Sequence, residues 1–128
     1  MAVEWRWQNF TLDELKCKGT GTFPDITPDI ALFMDKLQDI RDETGPIIIT
    51  SGYRSPEHNS RVSNTGTSGP HTTGRAVDIS IRGIDAFRLV EMAFAKGMTG
   101  IGIRQKGKSR FIHLDDLTGG PRPRIWSY

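Results

Sequence analysis

The chain has 128 residues, a formal net charge of +2 and one cysteine. That length suffices for a single domain spanning 1–128 with its own core. Cys17 alone excludes an internal disulfide and any multi-cysteine zinc site, and no apolar run is long enough to span a membrane. The charge is uneven: residues 1–50 hold nine acids and five bases, residues 101–128 six bases and two acids. A solvated basic face accounts for that bias. No arginine stripe interleaved with aromatics accompanies it, so nucleic acid is not expected as a partner.

The opening MAVEWRWQNF is not a basic segment followed by an apolar one, so no leader is expected and folding in a reducing cytoplasm is. Thr11 followed by Glu14 predicts a capping box at the start of a short helix. Residues 17–27 have loop composition, and Pro28 stands at a helix start. From Pro28 to Glu43, Ile30, Phe33, Met34, Leu37 and Ile40 recur at helical spacing, which predicts an amphipathic helix ended by Gly45-Pro46. Ile47–Ile49, continued by Thr50, is a β-branched run expected as a buried strand.

Pro56–Val62 suits a short helix, and from Ser63 to Gly74 periodicity disappears into a long polar loop. Residues 76–81 alternate, so Ala76, Asp78 and Ser80 share one face of a strand and Val77, Ile79 and Ile81 the other. Ile84–Lys96 predicts a second amphipathic helix with a broad apolar face of Ile84, Phe87, Leu89, Val90, Met92 and Phe94. Gly100–Arg104 and Arg110–Asp115 read as a hairpin around QKGKS, although glycines weaken the first strand. The tail TGGPRPRIWSY is turn-rich and ends in aromatics expected to pack back on the body. The fold class expected is α+β, a small antiparallel sheet with helices packed around it and the site on one open side.

Three residues stand out chemically. Aspartate is disfavoured in strands, so Asp78 in mid-strand needs a cation or donors, and His113 between Ile112 and Leu114 raises the same question. His71, at the end of the polar loop, is a further candidate ligand through a ring nitrogen. Two nitrogens, one oxygen and an open fourth position form the usual catalytic zinc arrangement, in which zinc activates a water and polarises a carbonyl. Spacing alone leaves a metal site and a set of ordinary polar residues both open. His58, on the short helix, is left outside the set.

The segments SGYRSPEHN, HTTGRAVD and FIHLD resemble the peptidoglycan-cleaving zinc metallopeptidases of the D-alanyl-D-alanine carboxypeptidase and L-alanyl-D-glutamate endopeptidase group. The resemblance rests on Ser51–Ser55, His71–Asp78 and His113-Leu114-Asp115, and extends to FTLDELKCKG and RIWSY near the two ends. It implies Zn²⁺ held by His71, Asp78 and His113, with Arg54 reaching in to stabilise an oxyanion or grip a substrate carboxylate. It also implies Gly74 at the turn into the ligand-bearing strand. The substrate implied is a peptidoglycan stem peptide, cut by a monomer such as a phage-type lysin released to the bacterial wall. A non-catalytic, zinc-stabilised wall-binding or virion module is the alternative.

Two positions depart from that pattern. Gly69 and Pro70 stand where many relatives place a serine two residues before the first histidine. Arg110 and Phe111 stand where relatives place an acid or a histidine before the last one. Asp115, on the same strand face as His113, is therefore the candidate base or a group that orients the ligands. Should it only orient, the base falls to another group such as His58 or a loop acid.

Overall fold

The computed structural model describes residues 3–128. Helix α1 (Leu12–Leu15) opens with the expected capping box between Thr11 and Glu14. Helix α2 (Pro28–Thr44) is capped by Thr27, whose side chain accepts from the Ile30 N–H, and stops at Gly45 with φ +84°. Strand β1 (Ile48–Ser51), helix α3 (Pro56–Val62), a 3-10 turn (Pro70–Thr73) and strand β2 (Ala76–Ser80) follow. Helix α4 (Gly83–Ala95) leads into β3 (Gly100–Arg104), β4 (Phe111–Asp115) and β5 (Arg124–Ser127).

The architecture is α+β, with a five-stranded sheet ordered β1-β2-β4-β3-β5. The first four strands pair antiparallel, whereas β5 joins the far edge parallel to β3. The sheet is therefore mixed, and the turn-rich tail supplies its last strand. Register separates the faces. Val77, Ile79, Ile101, Ile112 and Leu114 form a core with Phe33, Met34, Leu37, Ile40 and Leu89 from α2 and α4. Asp78, His113, Asp115, Gly100, Gly102 and Trp126 occupy the opposite face through direct pairings across the strands.

Two expectations about burial need correction. β1 is an edge strand, not a buried one: among the described residues it pairs only with β2, and Ile48 is 67% exposed. Helix α4 buries Ala86, Leu89 and Ala93, leaving Ile84, Phe87 and Phe94 exposed. Small residues let the helix lie close to its neighbours, which turns the bulky stripe outward. Among the described residues no helix is long and apolar enough to cross a membrane.

Candidate metal centre

Strands β2 and β4 place Asp78 and His113 directly opposite one another. His71 comes from the 3-10 turn, which is tied to the chain leaving β1 by the Arg54 N–H donating to the His71 carbonyl at 3.0 Å. Gly52 brings that chain against α1, because a Cβ there would meet the Leu15 carbonyl oxygen at 2.6 Å. Gly74 completes the approach with φ +78°, the left-handed conformation a turn into β2 requires, and packs on Ile30. One ligand atom each of His71, Asp78 and His113 lies within 4.8 Å of the other two. The three residues read from the sequence are thus brought together, while His58 packs on Gly19 and is not in the cluster.

Hydrogen bonding decides which nitrogen of each ring faces inward. His71 Nδ1 lies 2.7 Å from the Gly52 carbonyl oxygen. A carbonyl can only accept, so Nδ1 carries a proton, and in the neutral ring Nε2 presents a lone pair to Asp78 Oδ1 at 3.2 Å. His113 Nε2 lies 2.7 Å from Asp115 Oδ2, and its Nδ1 faces the same Asp78 oxygen at 3.1 Å. Two imidazole nitrogens and a carboxylate oxygen therefore converge where neutral rings would set lone pair against lone pair. A divalent cation fits that donor set, and each outer nitrogen already has the acceptor that orients metal-bound histidines.

The electrostatics agree. Burial pushes the Asp78 carboxyl up, but hydrogen bonds from His113 and His71 outweigh it and hold the group well below the usual carboxylate range. Burial disfavours charge on His113, yet Asp115 and Asp78 together raise its pKa. Positive charge is wanted at this point, whether a proton or a metal supplies it.

Arg54 reaches the site from the end of β1, with its guanidinium 3.6 Å from Asp78 Oδ2. Fully buried Asn59 holds it by accepting from Arg54 Nη1 at 3.1 Å, and donates in turn to Thr65 Oγ1 and the Gly66 carbonyl. Sequence reading missed Asn59; a neutral amide on a short polar helix gives no signal of burial. The Gly69 departure also gains a reason, since a Cβ there would collide with the Thr65 side chain. Cys17 is likewise structural: its buried sulfur accepts from the Ser55 N–H at 3.3 Å, fixing the start of α3 beside Arg54.

Asp115 is fully buried. Arg122 donates to both of its oxygens, Nε to Oδ1 at 2.9 Å and Nη2 to Oδ2 at 2.8 Å, and the Leu117 N–H also donates to Oδ1. With His113 on Oδ2, neither oxygen faces solvent or a substrate. Asp116 points the other way and accepts from Lys36 and Arg75, tying the approach to β2 onto α2.

A family model described as Peptidase M15 matches residues 8–115. The chain belongs to the peptidase M15 family. This is a family of metal-dependent peptidases, and the His-Asp-His cluster is a group able to hold the metal. The match takes in all three cluster residues, Arg54 and Asp115, and ends before Arg122 and β5. No curated protein matches the chain.

Proposed function

We propose that this chain is a zinc-dependent peptidase that hydrolyses a peptide bond in the stem peptides of peptidoglycan, as a carboxypeptidase or an endopeptidase. One observation carries the reading: in a chain of the peptidase M15 family, His71 Nε2 and His113 Nδ1 lie 3.2 and 3.1 Å from the same oxygen, Asp78 Oδ1, where neutral rings leave no donor between them. Two histidines and one carboxylate form the ligand set of catalytic zinc, which keeps a coordination position open. The chemistry zinc supplies there is activation of a water and polarisation of the scissile carbonyl. Arg54, held by Asn59 near the second oxygen of Asp78, donates to charge developing on that carbonyl or grips a substrate carboxylate. Asp115 holds His113 in place and takes no proton. In this reading the chain acts as a monomer, on a peptide and not on nucleic acid. The place of action is the bacterial wall, reached after release in the manner of a phage-type lysin.

One observation favours a second reading. With both Asp115 oxygens engaged, the acid nearest His113 is not free to accept a proton. A zinc-stabilised module that binds the wall without cutting it would have that feature. Turbidity of permeabilised Gram-negative cells, followed with and without a chelator, separates the two. The peptidase clears the suspension, stops when zinc is removed and resumes when it is restored. Failure to clear at any pH with one equivalent of zinc bound would favour the binding module.

A further inference from the structure

We propose that Arg122, delivered by the turn between β4 and β5, is a positioning residue of the metal centre. Acting through Asp115, it fixes the His113 tautomer that leaves Nδ1 for the metal. This rests on the reading of His113 as a ligand. The argument is hydrogen-bond arithmetic. A carboxylate offers about four lone-pair sites. On Asp115 the Arg122 Nε–H and the Leu117 N–H take Oδ1, and the Arg122 Nη2–H takes Oδ2. Arginine has no acceptor and does not give up its proton, so both oxygens it touches are acceptors. In the remaining contact, His113 Nε2 to Oδ2 at 2.7 Å, Nε2 therefore donates, which leaves Nδ1 as the nitrogen facing Asp78 and the metal position. Without Arg122, Asp115 would keep only the Leu117 N–H and His113 as partners, and no guanidinium fork would hold its Oδ2 against Nε2.

The surroundings are built to hold this arrangement. The Arg122 guanidinium lies over the Trp126 ring at 5.0 Å from its centroid, and that ring lies 5.1 Å from the His113 ring. Trp126 occupies space opened by Gly102, where a Cβ would meet its Nε1 at 2.6 Å. Gly100 opens the equivalent space for Asp115, since a Cβ there would run into the carboxylate. Two glycines that weaken β3 as a strand thus make room for the two side chains that steady His113. The parallel strand β5 brings Trp126 beside Gly102, directly across β3 from His113. Arg122 and Trp126 both lie outside residues 8–115, so the family match does not account for them.

The test uses the full chain and Zn²⁺, with Arg122→Leu and the milder Arg122→Lys. Zinc affinity is read by competition with a chromophoric chelator, and the His113 tautomer by long-range ¹H–¹⁵N NMR of the imidazole rings. Wild type should show a protonated Nε2 on His113 with and without zinc. Arg122→Leu should weaken zinc binding about ten- to a hundred-fold and mix the His113 tautomers, the magnitude typical for loss of an orienting partner. Arg122→Lys, with one point donor in place of the fork, should fall between them and keeps the proposal testable should the leucine variant not fold. Wild-type affinity with an unchanged Nε2–H in either folded variant would overturn it. A wild-type chain that binds no zinc would refute the reading of the site instead, while the tautomer in the metal-free chain would still decide the role of Arg122.

Discussion

The two histidines are steadied in opposite ways. His71 sits on a short 3-10 turn and donates to one neutral carbonyl, that of Gly52. His113 sits mid-sheet and donates to a buried carboxylate that is itself clamped by a guanidinium. The first support is backbone and cannot be removed by changing a side chain. The second is ionic, and half of it comes from a tail that joins the sheet last in the chain order. A carboxylate partner also makes an imidazole a more basic ligand than a carbonyl does. The His113 half should therefore carry more of the metal affinity and be the easier half to damage.

Asp78 belongs to both halves, so its loss is the largest break. Asp78→Ala should lower zinc affinity by more than the roughly hundred-fold that marks loss of an orienting partner, and abolish cleavage; atomic absorption of the purified variant checks this. Arg54→Lys should sharpen the comparison by leaving both halves intact. Zinc content stays at the wild-type level while kcat/KM on a muropeptide falls by about a hundred-fold, the scale for losing an oriented donor. Equal kcat/KM would take Arg54 out of the reaction.

The halves can also be loosened sterically. Gly100→Ala pushes on Asp115 and Gly52→Ala on the Leu15 carbonyl. Each should cost about 1–3 kcal/mol in denaturant unfolding. Gly100→Ala should additionally reduce zinc affinity more than Gly52→Ala does; the reverse order would mean that the carbonyl is the more important support. Thr11→Ala is the smallest change. It removes the capping box of α1 at a cost of about 1 kcal/mol, with zinc binding untouched.

Much of this was legible from the chain alone because charge in a strand is conspicuous. Asp78 and His113 break apolar alternation, and the glycine-rich stretch before β2 announces the loop that carries His71. The helix α2 and the β3–β4 hairpin follow from periodicity and turn chemistry. What stayed hidden depends on contacts that no local pattern encodes. Arg122 lies among prolines and glycines, seven residues past Asp115, and only the return of β5 brings its guanidinium back. Asn59 looks like any polar helix residue until Arg54 and Thr65 close around it. The aromatic stripe of α4 follows helical spacing but is not the buried face, because Ala86 and Ala93 allow closer packing than Phe87 and Phe94 would. The open sheet face is the instructive case: glycines that argue against a strand are there to admit Asp115 and Trp126.

The central claim, that this cluster holds a zinc which cuts stem peptides, is tested most directly by mass spectrometry of purified muropeptides incubated with the zinc-loaded chain. The account predicts a product broken at one peptide bond of the stem, absent after chelation and absent with His113→Ala. Intact muropeptides in the presence of a chain carrying one equivalent of zinc would contradict it.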